Sequence, residues 1–502
     1  MKKGSARLLL LVQVLLAFWA VSWAGEVKTR HLILMIGDGM HLAHETAASR
    51  YLTGKDNGLS WHSFPYSVPV TTWDVSTYNM YARIKNKPLF DPRSFAPTMG
   101  YNPALGGSQP VFEQTNPDAE AYFFFLGNYS PATDSASAAT ALATGQKTDE
   151  GNLSWLPGDP QNGRLTTIAE TFRRGKGGAI GVVSTVPFSH ATPAAFVSHS
   201  PERDRYFKKE TQENGIADEI IQETKPEVVI GGGHPLFTQK EKYISLKLLY
   251  ELCRSGEYVL TERRCGQDGT EALKKAAARA VQEKKKLFGL FGGPDGNFES
   301  PKPEDAPGSP QVKPAGSENP LLKDAAGAAL EVLSPDPRGF FLVIEQGDID
   351  WANHENDYAR MIGCMWDFDE AVKTVIAFVD RPGDDIDWDN TLLVVTADHA
   401  NGYMRLTEKK LGKGDLPGQI EEKKGFVYPG QEVTYHSTHH TNELVMLYAR
   451  GQGAALEQFK KYQSAWYPGL NIIDNTQVCL AMMAAAGLPY PTPDALTNPC
   501  VF

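Results

Sequence analysis

The sequence predicts an α/β fold built on a mainly parallel sheet, and three observations predict it. Short, almost wholly apolar runs recur along the chain, as strands buried on both faces require. Helical patterns lie between them, the alternation that builds a parallel sheet. The residues able to do chemistry follow the ends of those runs, where sites in open α/β sheets gather.

The first run, residues 31–36, ends in Gly37-Asp38-Gly39. Comparable runs are 179–183, 228–230, 340–344 and 391–396, and helical patterns cover 165–174, 357–379 and 476–486. Three excursions interrupt the pattern. Residues 78–125 are aromatic and irregular, which suggests a surface excursion near the site. Residues 284–319 are rich in Lys, Gly and Pro and read as a mobile loop. Residues 402–435 are polar and separate two clusters of candidate ligands, so they read as a cap. No internal repeat is visible. At 502 residues the chain is long enough for more than one domain, but large α/β enzymes often form one, and residues 25–502 are read as a single catalytic domain.

The first 24 residues read as a secretory signal. Lys2, Lys3 and Arg7 precede an apolar stretch at 8–21, and Ser22-Trp23-Ala24 offers a small-x-small cleavage site. The stretch contains Gln13 and is short for a ~20-residue membrane span. A secreted location, periplasmic or extracellular, is expected, with no transmembrane segment after cleavage. The net charge of −11 argues against a nucleic-acid surface. Five cysteines suit an oxidising compartment. Cys253 with Cys265 and Cys479 with Cys500 are candidate disulfides. Cys364 lies in an apolar helical stretch and reads as a buried thiol. None has C-x-x-C spacing, so a thiolate zinc site is not expected.

The chemistry lies in a few short segments. Ser135 follows Asp134 and opens an Ala-rich helical run closed by Gly145. A serine at a helix N-terminus feels the dipole and free N–H groups, which favour an alkoxide and bind an anion. An adjacent metal would lower its pKa further. Thr133 and Ser137 are rival nucleophiles on local grounds. Asp38 sits in a Gly-Asp-Gly turn whose glycines let the backbone approach a ligand closely. Asp350 and His354, four apart, share one face of a helix and make a zinc half-site, while Glu345 at a strand end offers a harder oxygen suited to magnesium. Asp398-His399 directly follows a buried run, a place that seldom takes a charged group without a partner. His436, His439 and His440 crowd before another apolar run, and at least one should be a ligand. His199 and His234 lack this context and read as structural or surface residues. Arg203 follows the His190-Ala-Thr192-Pro segment and is placed to pair with phosphate, with Arg205 as its competitor. Thr192 can offer a hydroxyl to a hard metal. A nucleophile, a guanidinium and ligands for more than one metal are what hydrolysis of a phosphate ester needs.

Together these residues resemble the alkaline phosphatase family, over about residues 31–488. The nucleophile region carries the match, with Asp134-Ser135-Ala136, its small-residue helix, and Thr144-Gly-x-Lys147-Thr148. The resemblance implies a three-layer α/β/α sandwich and a phosphoserine intermediate on Ser135. It implies one zinc on Asp350, His354 and His440, and a second on Asp38, Asp398 and His399 that also binds Ser135. It implies magnesium on Asp38, Thr192 and Glu345, and Arg203 gripping the phosphate. His440 is preferred because His440-Thr-Asn-Glu-Leu-Val445 fits the family's His-x-x-x-x-Val. Two positions depart from the best-known bacterial pattern: His190 stands where many members have aspartate, and Trp351 where many have lysine. A histidine cation in place of an acid would bear on magnesium affinity and pH optimum. The implied activity is metal-dependent hydrolysis of small phosphate monoesters at alkaline pH with release of inorganic phosphate, in a family that is often homodimeric, and phosphate scavenging is the implied role.

Rivals differ at readable positions. A sulfatase on the same fold needs Cys/Ser-x-Pro-x-Arg, which does not surround Ser135. A phosphodiesterase typically offers a threonine nucleophile without the Arg203 context. A secreted binder of zinc or phosphate would not need Ser135, and a serine esterase would carry Gly-x-Ser-x-Gly.

Overall fold

The computed structural model describes residues 29–105, 132–208, 215–238, 241–423 and 425–490. The signal segment, Cys500 and residues 106–125 of the first excursion lie outside them.

A ten-stranded sheet forms the middle layer. In chain order its strands are β1 (His31–Gly37), β2 (Tyr66–Thr71), β3 (Ala179–Pro187), β4 (Val228–Gly232), β5 (Tyr258–Glu262), β6 (Lys286–Leu290), β7 (Phe340–Gln346), β8 (Thr391–Thr396), β9 (Val445–Arg450) and β10 (Ile473–Asp474). Their spatial order is β10-β2-β9-β8-β1-β7-β3-β4-β6-β5. Within this sheet β9 runs antiparallel to its neighbours and the other pairings are parallel. Every residue of β1, β3, β7 and β8 is buried, which is why these strands read as unbroken apolar runs.

Helices cover both faces. On one, Leu322–Leu333 and Tyr358–Val379 pack together and against the central strands. On the other lie Ser135–Thr144, Ile168–Lys176, Ala191–Ala195 and Asn475–Ala485. The expected three-layer α/β/α sandwich is observed. All ten residues of Ser135–Thr144 are buried, and its small side chains let it lie against both Ala191–Ala195 and Asn475–Ala485. It stops at Gly145, whose φ of 72° an L side chain rarely adopts and whose added Cβ would meet Leu480 Cδ2 at 2.8 Å.

Three expectations are corrected. Residues 284–319 are not a mobile loop: β6 is paired on both sides inside the main sheet, and Lys302–Glu304 forms a hairpin with Gln311–Lys313. The Lys-rich flank concealed a buried apolar core, Leu287 to Leu290. The excursion at 78–125 is less irregular than expected at its start, because Tyr78 is buried in helix Val75–Ile84 and packs with Trp73, Phe90 and Phe95. Cys253 and Cys265 are exposed free thiols rather than a disulfide. Cys364 is the buried thiol expected. Cys479 is also free, although the partner proposed for it lies outside the described residues.

Candidate active site

Strand register gathers the site. Ile36 pairs with Thr396 on one side and with Glu345 on the other, and Glu345 pairs onward with Ser184. The carboxyl ends of four adjacent strands therefore lie level, so Asp38, Asp398-His399 and Glu345 emerge from one edge of the sheet. The excursion at 402–435 contains short antiparallel hairpins, and its return strand His440–Thr441 pairs with Ala400–Asn401. That pairing sets His440 opposite Asn401, two residues from His399. The Asp348–His354 helix follows β7 directly and brings in Asp350 and His354.

Asp350, His354 and His440 converge. Asp350 Oδ2 lies 3.1 Å from His354 Nε2, Asp350 Oδ1 lies 3.4 Å from His440 Nε2, and the two Nε2 atoms are 3.1 Å apart. Each histidine is oriented by a backbone carbonyl: His354 Nδ1 donates to Thr438 O at 2.7 Å and His440 Nδ1 to Thr133 O at 2.8 Å. This network assigns the ring protons to Nδ1 and leaves both Nε2 lone pairs facing inward.

Asp38, Asp398 and His399 form the second group. His399 Nε2 is 3.3 Å from Asp38 Oδ1 and 3.3 Å from Asp398 Oδ2, and both oxygens are buried without a hydrogen-bond partner. Its ring stacks on His440 at 3.7 Å, so the two groups adjoin. Burial first, and then the charge of neighbouring carboxylates, pushes Asp38 well above its ordinary pKa and Asp398 to about 7. Burial and the proximity of His440 hold His399 well below its ordinary value, as a neutral imidazole.

Glu345, with Thr192 and Asp38 in reach, forms a third group. Glu345 Oε2 accepts from Ser184 Oγ, while Glu345 Oε1 and Thr192 Oγ1 are buried and unpartnered. Burial is the main cause that raises Glu345 to about 8. Unpartnered carboxylate and hydroxyl oxygens packed out of water are costly unless a cation takes them. The donor sets fit two zinc-type sites of mixed N/O ligands and one hard, all-oxygen site.

Ser135 opens its helix beside these groups. It is 3% exposed, and its Oγ lies 3.2 Å from His399 Nε2. Asp134 caps the helix by accepting from Ser137 N at 2.9 Å, and its other oxygen accepts from Arg203 Nη1 at 2.7 Å. Burial alone would raise Asp134, but Arg203 and the Ser137 hydrogen bonds outweigh it and hold the carboxyl at about 2. Arg203, not Arg205, is the guanidinium paired with Asp134, the residue before the nucleophile; Arg205 lies 3.6 Å from Glu202. The hydroxyls of Thr133 and Ser137 pair with each other at 2.8 Å, whereas the hydroxyl of Ser135 meets His399.

Of the histidine cluster, His436 packs against Tyr403, while His440 turns its Nε2 to His354 and Asp350. His190 and Trp351 stand together at the rim with ring centroids 6.2 Å apart. Burial, then repulsion by Arg203 and Lys242, lowers the pKa of His190 to about 3, which favours the neutral ring over the cation that the sequence allows. His199 and His234 are buried structural residues paired to Glu219 and Glu262. Sequence reasoning missed Asn401, whose Nδ2 donates to Asp350 Oδ1 at 2.6 Å, and the carbonyls of Thr133 and Thr438. A carbonyl carries no side-chain identity, so no sequence signal marked the last two.

Comparisons with known proteins agree with this geometry. The alkaline phosphatase family profile matches residues 125–465. Alkaline phosphatase 3 of Bacillus subtilis is 29% identical over 380 residues, which cover 75% of this chain and 62% of the relative, so the match spans less than two thirds of that protein. Alkaline phosphatase of Escherichia fergusonii is 31% identical over 390 residues, covering 71% of this chain and 74% of the relative. The structure of Thermus thermophilus alkaline phosphatase superposes with a TM-score of 0.60 at 21% identity, covering 93% of each chain, which supports the fold. With the profile matched over most of its length, this chain belongs to the alkaline phosphatase family.

Proposed function

We propose that the protein hydrolyses small phosphate monoesters at alkaline pH through a phosphoserine on Ser135 and releases inorganic phosphate. One observation carries the reading: a buried serine at a helix N-terminus, 3.2 Å from a histidine that also faces two unpartnered carboxylate oxygens. Asp350, His354 and His440 would hold one zinc. Asp38, Asp398 and His399 would hold the other beside Ser135, and Asp38, Thr192 and Glu345 would hold magnesium. Bound there, the metals would favour the serine alkoxide and neutralise charge on the attacking and leaving oxygens.

The chain's own groups do the rest. Ser135 Oγ forms the new P–O bond as the ester oxygen leaves, and water later breaks the Ser135–phosphorus link. Arg203, held by Asp134, neutralises the equatorial oxygens, and the free N–H groups of the first helical turn face the same anion. Family membership supports a secreted enzyme, periplasmic or extracellular; a homodimer is an expectation of the resemblance alone. Among the described residues no helix is long and apolar enough to cross a membrane.

The test is release of p-nitrophenol from p-nitrophenyl phosphate by the purified protein, with zinc and magnesium added or chelated, beside Ser135→Ala. Metal-dependent turnover that Ser135→Ala abolishes is expected. Failure of the zinc-loaded enzyme on this ester, with turnover of p-nitrophenyl sulfate or a phosphodiester instead, would overturn the reading.

A further inference from the structure

Ser137 is a buried hydroxyl next to the nucleophile that the reaction itself does not use. Four polar atoms surround its Oγ: Asp134 Oδ1 at 2.6 Å, Thr133 Oγ1 at 2.8 Å, Asp74 Oδ2 at 3.3 Å and Asp134 O at 3.3 Å. The four residues are 1–7% exposed. Capping the helix requires only the backbone N–H of residue 137, which any side chain there would leave in place. The hydroxyl therefore does something beyond the cap.

We propose that Ser137 is a positioning residue that aims Arg203 at the phosphate. The inference rests on the reading of Arg203 as the phosphate clamp. A hydroxyl has one proton, and its shortest contact is with Asp134 Oδ1, a charge-assisted bond. Thr133 Oγ–H is then left to donate into the Ser137 oxygen at 2.8 Å, with Asp134 O at 3.1 Å as its other acceptor. Asp134 Oδ1 thus receives two donors from one residue, its N–H and its O–H, which fix the rotation of the carboxylate. That rotation turns Oδ2 outward to Arg203 Nη1 at 2.7 Å. Behind Ser137 stands Asp74, itself immobilised as the cap of helix Val75–Ile84 by Thr77 N at 2.6 Å. Thr133 also supplies the carbonyl that orients His440, so the same cluster touches the clamp and a metal ligand. Without the hydroxyl, Asp134 keeps its cap and its bond to Arg203 but loses the second donor on Oδ1, and the direction of the guanidinium is held less tightly.

The experiment compares the full-length enzyme with Ser137→Ala, Arg203→Ala and the double variant, all zinc-loaded, reading KM and kcat on p-nitrophenyl phosphate and the inhibition constant of inorganic phosphate. Ser137→Ala should raise both KM and the phosphate inhibition constant about tenfold, the scale of one hydrogen bond to a charged group, with kcat and zinc content near wild type. In the Arg203→Ala background it should add nothing, because the group it aims is gone. Unchanged phosphate affinity in Ser137→Ala, or a full additional loss in the double variant, overturns the proposal. An Arg203→Ala enzyme with wild-type phosphate affinity overturns the clamp reading instead. If Ser137→Ala does not fold, Thr133→Val removes the donor into Ser137 at nearly constant shape. It should shift phosphate affinity in the same direction by about two- to threefold, and no shift would count against the proposal.

Discussion

His354 Nε2 and His440 Nε2 face each other at 3.1 Å while both Nδ1 atoms donate to backbone carbonyls. Two lone pairs at that distance, with Asp350 oxygens at 3.1 and 3.4 Å, repel unless a proton or a metal ion lies between them. Burial alone would lower His354, but Asp350 raises it to about 9, and a metal would displace that proton. Metal binding should therefore be part of folding stability as well as of activity. A metal present at about 1,000 times its dissociation constant adds about 4 kcal/mol. Chelation should lower Tm by roughly 4 °C for each such site emptied, and zinc should restore it. Thermal unfolding with and without a chelator checks this, and an unchanged Tm would argue that the facing histidines are not a metal site.

Gly39 should be the least replaceable residue of the Asp38 turn. Its φ is +66°, and an added Cβ would lie 2.8 Å from Asp350 Oδ1. Its N–H also donates to Asp398 Oδ1 at 3.1 Å. Gly39→Ala would meet backbone strain of about 1–2 kcal/mol and displace a carboxylate of one donor group against one of the other. The expected outcome is at least a tenfold loss of kcat at limiting zinc, partly restored by excess zinc. Wild-type zinc dependence would contradict the close approach.

The legible parts of this protein are those whose chemistry and burial coincide in the chain. Residues 31–36, 340–344 and 391–396 read as strands because both faces are buried, and the parallel register then levels Asp38, Glu345 and Asp398 at one edge. β6 was hidden by Lys284 and Lys285 on its flank and by Lys286 as its first residue. β2 was hidden because its residues 67 and 69 are not buried, which breaks the apolar run. Ser135 could not be told from Ser137 or Thr133 by local sequence, since only the return of His399 to one of the three hydroxyls separates them. Asn401 acts through a fold-dependent contact with Asp350, and nothing in its neighbourhood signals that partner.

His190 should control magnesium. Its neutral ring stands two residues before Thr192, whose Oγ1 is unpartnered, and it brings no negative charge to the oxygen-rich group of Thr192, Asp38 and Glu345. Magnesium prefers carboxylate oxygen. His190→Asp should lower the magnesium concentration for half-maximal activation by roughly tenfold, read from turnover against free magnesium at fixed zinc. An unchanged or higher requirement would mean that residue 190 does not reach the magnesium or its bound water.

Stability should decline on the alkaline side through His199, which is not among the candidate metal ligands. Its Nδ1 lies 2.7 Å from Glu219 Oε1 and its Nε2 3.6 Å from Glu170 Oε2. Burial alone would lower its pKa, but the two glutamates outweigh burial and raise it to about 9. A histidine whose folded pKa lies above its unfolded value of about 6.5 stabilises fully below the lower value, and the contribution vanishes as pH rises through the upper one. The window is therefore pH 6.5 to 9, worth up to about 3 kcal/mol. Urea unfolding of His199→Gln should show a loss relative to wild type at pH 6 that shrinks to near zero by pH 10. A constant difference across that range would mean that His199 packs there without carrying a proton. With the ion pair formed as expected, the proposed alkaline working range sits where it has already begun to weaken, so the loop from Ser198 to Arg203, anchored by His199 N on Glu219 Oε2 at 3.0 Å, should loosen as the pH rises.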